Sequence, residues 1–298
     1  MNAFKLLTLS CLALGILVNT TGCAECSKNE ETGGTTCKSL KYVQAANPKV
    51  TEVNYQAGAS LDVKTVNGDI TIVNGSTDTV VVETTPRVGK AHDTPEEEFT
   101  AALEALNDQT EVSGDASGNA VVRAPGGGVD SVSVVVKLPP GFNGTIKLNQ
   151  GNGTTEVKGV AGATALDIFS DNGSCDIRAA TSVVSTTVNC DNGSTSVTGL
   201  ANDVNITAGN GDLFVEVASP GGNGGTIFAD NGDIELAVPA SGNFSVQASA
   251  TNSVDMGNPS TCTINEAASN SKTLTCNQGG ANYVVTADGP GADILVSY

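Results

Sequence analysis

Apolar and polar residues alternate in short runs along most of the chain, and the runs return at a nearly fixed interval. Asn-Gly pairs at Asn67, Asn152, Asn172, Asn192, Asn210 and Asn231 share one context, and from Asn152 onward they are spaced 20, 20, 18 and 21 residues apart. Four places before the Asn stand Val63, Leu148, Ile168, Val188, Ile206 and Ile227. Five places after it stand Ile72, Val157, Ile177, Val197, Val215 and Leu236. Every one of these is aliphatic. Three places after it stand Ile70, Thr155, Cys175, Thr195, Leu213 and Ile234, on the same parity. Period-2 alternation on both sides of a corner is the pattern of half-buried strands. Asn and Gly tolerate positive φ, so each pair can turn the chain sharply between two strands. A string of antiparallel hairpins and a solenoid both fit this pattern, but equal spacing favours the solenoid. Coils of about twenty residues stack identical positions, so that aliphatics form internal ladders. Asn152, Asn172, Asn192, Asn210 and Asn231 can then stack as a ladder along one edge. Three other Asn-Gly pairs, at Asn74, Asn143 and Asn223, read as separate turns.

The stretch 86–128 interrupts the repeat. Thr94-Pro95-Glu96-Glu97 reads as an N-cap, a Pro at the first helical position and a capping-box Glu. Phe99, Leu103 and Leu106 follow at helical spacing, which predicts one short amphipathic helix over about 95–107. After it, Val132, Val134, Val136 and Leu138 alternate as a strand that Pro139-Pro140-Gly141 ends. At the far end, Cys262 and Cys276 bracket a polar stretch that reads as a disulfide-closed hairpin. Residues 284–296 then read as a last, irregular coil, giving a cap over about 255–298. The fold class expected is all-β: a β-solenoid over 49–298 with one short helix in the insert.

Residues 1–22 read as a targeting segment. Lys5 is a basic n-region, and Leu6 to Val18 is an apolar run too short for a permanent span. Thr21-Gly22-Cys23 resembles a bacterial lipobox, which implies lipid attachment at Cys23; cleavage after Ala24 is the alternative. Ala24 after the Cys, rather than Asp, favours the outer membrane if the cell is Gram-negative. More than one acyl chain on Cys23 would give stable anchoring. Residues 23–48 are polar and without periodicity, and read as a tether.

With Cys11 in the leader and Cys23 at the cleavage point, six cysteines remain: Cys26, Cys37, Cys175, Cys190, Cys262 and Cys276. They form three close pairs in sequence, and an exported chain meets an oxidising compartment, so structural disulfides are expected. Cys175 and Cys190 both fall on the inward parity around one corner type, and are expected to bridge adjacent coils. A metal site is not expected among them, because the sole His, His92, is remote in sequence.

The composition narrows the function. The net charge is −18, from 14 Lys+Arg against 32 Asp+Glu. Such acidity excludes a nucleic-acid binder, since little could replace phosphate counterions. Aromatics are 4% of residues and Trp is absent, as a narrow interior of small and β-branched side chains requires. Carboxylates at the corners (Asp171, Asp191, Asp212, Asp230 and Asp233) could offer oxygens to calcium. Asp-Asn-Gly is turn-forming in its own right, and the nonapeptide calcium repeat is absent. One His permits no credible Ser-His-Asp arrangement, and Gly221-Gly-Asn-Gly-Gly225 is a loop rather than a phosphate cradle. No cofactor is expected, and no enzyme.

The run Asp62-Val-Lys-Thr-Val-Asn-Gly-Asp-Ile-Thr-Ile72, a Val-rich strand, a helix-bearing insert, Val134-Val-Val-Lys-Leu-Pro139 and serial Asn-Gly units come in one order. That order resembles the bacterial putative-adhesin family of β-strand-repeat proteins over roughly residues 50–250. The resemblance implies a right-handed β-solenoid, exported or membrane-attached. The expected function is a non-catalytic, lipid-anchored module of the cell envelope, serving adhesion, binding or envelope structure with a protein or glycan partner. The alternative is a carbohydrate-active solenoid enzyme.

Overall fold

The computed structural model describes residues 16–19, 24–28 and 35–298 apart from 161, 180–182, 240, 258 and 278, with side chains from residue 39 onward. Two sheets, of fourteen and twelve strands, run the length of the molecule. Each repeat adds one strand to each sheet. Leu61–Asn67, Thr145–Asn152, Ala165–Asn172, Ser185–Asn192, Asp203–Asn210 and Gly224–Asn231 pair in parallel in the twelve-stranded sheet. Past the Asn-Gly corner, Ile70–Asn74, Thr155–Val160, Cys175–Ala179, Thr195–Leu200, Leu213–Val217 and Ile234–Ala237 pair in parallel in the other. The parallel pairing decides for the solenoid over the hairpin string.

The register is the one that the aliphatic positions dictate. Ile168 pairs with Val188, Val188 with Ile206 and Ile206 with Ile227; across the interior, Ile177 pairs with Val197 and Val197 with Val215. All are buried. Each buried aliphatic contributes roughly 1.5–3 kcal/mol relative to exposure, and a one-residue slip would turn the whole ladder out to water. Large aromatics enter the interior outside the regular coils, as Phe142, Phe244 and Tyr283.

Spatial order departs from chain order at both ends. Ala120–Ala124 and Ser131–Leu138 form a coil that lies outside the 61–74 coil, which is itself sandwiched against 145–160. At the other end, Ala281–Ala287 and Asp293–Ser297 slot between the 224–237 coil and the coil made by Phe244–Ala250 and Ser253–Met256. Residues 284–296, expected as the last coil, are therefore internal, and the expected cap over 255–298 is corrected to 244–276. The hairpin of Cys262–Ala268 and Ser271–Cys276 pairs antiparallel with Phe244–Ala250. Its tip folds over the end: the Val254 amide donates to the Ser269 carbonyl and the Ala250 amide to that of Asn270.

The insert is shorter than 86–128. Thr79–Ala91 is a single strand, antiparallel to Ser131–Leu138, and Ala120–Ala124 already belongs to a sheet. Pro86 is tolerated mid-strand because one flank changes partner there. Lys49–Asn54 pairs up to Thr84 and Thr35–Ala45 from Arg87 onward, so the missing N–H falls in the gap. The helix spans Glu96–Gln109 and buries Phe99, Leu103 and Leu106. Its N-cap is Pro95, with no side-chain cap hydrogen bond. The expected Thr94 cap is thus displaced by one residue, because Pro95 is extended at φ −58°, ψ 149°. Glu96, Glu97 and Glu98 favour the positive end of the dipole instead.

The 23–48 stretch, expected as a tether, holds strands at Ala24–Lys28 and Thr35–Ala45. The second covers the edge of Thr79–Ala91, a long strand that would otherwise present unpaired backbone. Ile16–Asn19, within the segment read as a leader, pairs antiparallel with Thr35–Ala45.

Candidate functional site

The corner edge is the most regular surface of the molecule. Asn152 donates from Nδ2 to Asn67 Oδ1 at 2.7 Å, Asn192 to Asn172 at 3.1 Å, Asn210 to Asn192 at 2.9 Å and Asn231 to Asn210 at 3.2 Å. Asn152 also pairs in register with Asn172. These corner Asn side chains lie in a row along one edge, with Asn67 as a further member. Beside it the corner amides form a second chain: Gly153 N–H donates to the Asn172 carbonyl, Gly173 to Asn192 and Gly193 to Asn210. Gly173 sits at φ 146°, and a Cβ there would fall on the Gly153 carbonyl of the coil beneath. Only Gly satisfies both the backbone angle and the stacking distance.

The corner carboxylates divide into two kinds. Asp69 accepts the Thr154 amide at 2.8 Å, Asp212 the Asp233 amide at 3.3 Å and Asp233 the Asp293 amide at 2.9 Å. These aspartates lie two places after the Asn and tie each coil to the next. Asp171 and Asp191 instead give backbone carbonyls to the Asn ladder. Among the described residues no group of three or more His, Cys, Asp or Glu side chains could hold a metal ion.

Inside the corner lies a polar column that sequence reading missed. Gln150 donates to the Gly68 carbonyl at 2.7 Å and accepts from Thr155 at 2.6 Å and Ser170 at 3.2 Å; Gln150, Thr155 and Ser170 are buried. The position two before the corner Asn carries Thr65, Gln150, Ser170, Cys190, Ala208 and Ala229: its inward parity was legible, its polarity was not. The same column holds the Cys175–Cys190 disulfide, which joins the two sheets across adjacent coils with Cα atoms 6.6 Å apart. Cys262 and Cys276 are in register across the hairpin and bridged, with Cα atoms 4.1 Å apart. Cys26 stands opposite Cys37 in the register of their two strands. Cys23, the expected lipid site, lies outside the described residues.

The outward parity of the fourteen-stranded sheet carries a shallow apolar cleft of about 570 Å³. Phe214 and Leu295 lie along it, on strands flanking Ile234–Ala237, and Leu295 is 43% exposed. Asp176, Asp212, Asp233, Glu235 and Asp293 surround them. Asp176 pairs with Arg178 at 2.9 Å, which raises the Arg178 pKa. Asp293 is held below the usual carboxylate range chiefly by the Ser253 hydroxyl; desolvation opposes this, and Asn252 and the Ser253 amide reinforce it. A second, polar cleft of about 680 Å³ sits at the other end of the corner edge, lined by Gln44, Asn67, Asp69, Arg87 and Asp130 among others. Asp130 accepts the Gly89 amide, and Arg87 lies over the Tyr42 ring at 4.4 Å, so these groups hold the edge together. Among the described residues no helix is long and apolar enough to cross a membrane.

Residues 107–296, more than half of the chain, match the sequence pattern of the Toastrack DUF4097 family. No curated protein matches the chain. Among solved structures, a "putative cell adhesion protein" from Clostridium sporogenes aligns at 12% identity and TM-score 0.39, covering 84% of this chain and 99% of that one. A "putative adhesin" from Bacteroides fragilis aligns at 12% identity and TM-score 0.31, covering 85% and 98%. Another from Parabacteroides merdae aligns at 11% identity and TM-score 0.24, covering 84% and 96%.

Proposed function

We propose that this chain, which belongs to the Toastrack DUF4097 family, is a non-catalytic surface module, held to the cell envelope through Cys23 and presenting its solenoid to a partner. The observation that carries the reading is the Cys175–Cys190 disulfide, which is fully enclosed in the core. A bridge built into the interior must form as the chain folds, so folding takes place where thiols are oxidised. Cys26 and Cys37 form a third bridge in this reading, since the backbone register sets them face to face. In this reading the apolar run Leu6 to Val18 supplies export, and the Thr21-Gly22-Cys23 that follows it supplies attachment.

The surface suits binding better than turnover. Asp69, Asp212, Asp233 and Asp293 already accept backbone amides or side-chain donors from neighbouring coils, so they act as coil-to-coil ties. Cells expressing the full chain test the proposal. Protein made with wild-type Cys23 should fractionate with membranes, take up labelled fatty acid and be digested by protease added to intact cells. Cys23→Ala should lose the label and leave the membrane fraction or stay unprocessed. Unchanged membrane association and mobility in that variant would refute the anchor, and protection from external protease would refute surface display.

A further inference from the structure

We propose that the outer face around Phe214 and Leu295 is a docking groove for a cationic, amphipathic polypeptide segment of a partner protein. This rests on the surface-module reading above and gives the partner a chemistry. The starting point is how charge is spread along the chain. From residue 179 to the C-terminus there are eleven Asp and Glu and one basic residue, Lys272. Lys272 is committed to Glu266 in the terminal hairpin, at 3.4 Å. The other Lys and Arg all lie before that point; on the fourteen-stranded sheet Lys137 pairs with Glu83, Lys158 with Glu156 and Arg178 with Asp176, while Arg87 lies over Tyr42 at the far end. Beyond Arg178 the same face carries Asp212, Glu216, Asp233, Glu235 and Asp293, none of them in a salt bridge among the described residues.

Into this acidic field the fold sets two apolar side chains on the solvent parity. The strand register places Phe214 beside Glu235 and Glu235 beside Leu295, so the row reads apolar, acidic, apolar at successive strand spacings of about 4.8 Å. Ser194 and Ser196, small and outward-facing, leave the cleft open on the adjoining strand. A partly buried Phe and an exposed Leu amid polar neighbours offer hydrophobic contact, while carboxylates that no cation among the described residues neutralises choose the sign of what comes. A second copy of this chain would bring like charge to like, and an anionic lipid surface would be repelled in the same way. A segment with Lys or Arg interleaved with Leu or aromatic residues satisfies both halves of the groove. The face belongs to the C-terminal half of the solenoid, remote in sequence from Cys23.

The purified full-length protein tests this in a fluorescence-anisotropy titration with short labelled peptides of alternating Lys-Leu, Lys-Ser and Glu-Leu sequence. Lys-Leu should bind most tightly, Lys-Ser weakly and Glu-Leu not at all, and binding should weaken as salt rises. Phe214→Ser with Leu295→Thr should weaken Lys-Leu binding about tenfold or more while leaving thermal melting near that of the wild type. Glu235→Gln, at a position outside the amide-accepting row, should weaken it and reduce the salt dependence. Equal affinity for Lys-Leu and Lys-Ser, or undiminished binding by the folded double variant, would overturn the groove and leave only bulk charge. Binding of anionic phosphatidylglycerol vesicles that competes with the peptide would overturn the polypeptide assignment. Failure here with protease-accessible, Cys23-anchored protein on cells would remove the groove and leave the surface module standing.

Discussion

Ile177 and Ser174 lie three residues apart on the same side of one corner, yet they face opposite ways. Ile177 is fully buried in the ladder between Val157 and Val197, while Ser174 is exposed. Asp212 and Asp233 occupy the position of Ser174 in later coils. Ile177→Asp would bury an unpaired carboxylate, at several kcal/mol, and is expected to unfold the coil or prevent expression of folded protein. Ser174→Asp should melt within a few degrees of the wild type, because Asp is already used at the equivalent rung. Circular-dichroism melts of both variants decide this, and equal shifts would contradict the register. The inward positions were readable because a period of two leaves each residue only two choices of face. The buried hydrogen bonds of Gln150, Thr155 and Ser170 were not readable, because a polar residue on the inward parity looks like an error until its partners are known.

At the scale of elements, coils are held to one another by bonds of different kinds. The Cys175–Cys190 bridge crosses the interior between adjacent coils and closes a loop whose ends are 15 residues apart. In the entropic account, a loop of that size stabilises by about 3 kcal/mol. Replacing both cysteines with Ser should therefore lower the melting temperature by roughly 6–12 °C for a domain of this size without abolishing the fold, since the aliphatic ladders persist. A differential scan of the double variant measures it, and collapse of the native spectrum would mean that the bridge is needed to form the coils. Asp293 joins the inserted coil to the 244–256 coil through the Ser253 amide at 2.9 Å, the Ser253 hydroxyl at 2.7 Å and Asn252 at 2.8 Å. These contacts depress its folded pKa below the ordinary 3.8. The stabilisation is thus present above the ordinary value and is lost as pH falls through the lower folded one. Between about pH 5 and about pH 2, Asp293→Asn should flatten part of the acid-induced fall in melting temperature. An unchanged profile would assign the acid sensitivity to other carboxylates.

For the whole molecule, the ends matter most, because parallel sheets leave open edges that could pair with another chain. Deleting residues 259–277 would uncover Phe244–Ala250 and release the tip that covers Ser253–Met256. The truncated protein is expected to self-associate as concentration rises, as read by light scattering, whereas the full chain stays at one size. A truncated protein that scatters like the full chain would show that the hairpin does not guard the end. The outermost strand, Cys262–Ala268, is short and carries Thr263, Asn265 and Glu266, which suits it to an edge in water.

The sequence by itself determined what repeats. Every regular coil presents the same choice of face at the same distance from its Asn-Gly corner, so the ladders, the Asn edge and the Cys175–Cys190 bridge follow from local spacing once the coils stack in parallel. The tertiary structure alone decided what happens once. Placement of the 120–138 coil outside the 61–74 coil, and of the 281–297 coil inside the 244–256 coil, depends on which strand edges the rest of the fold leaves unpaired. A local pattern carries no record of that, because each of these segments has the same alternation as its neighbours. The same reason hid the strand role of residues 35–45, whose pairing answers to a distant edge at Thr79–Ala91. It also hid the groove at Phe214 and Leu295: 81 residues separate them along the chain, and only the insertion of the late coil brings them onto one face.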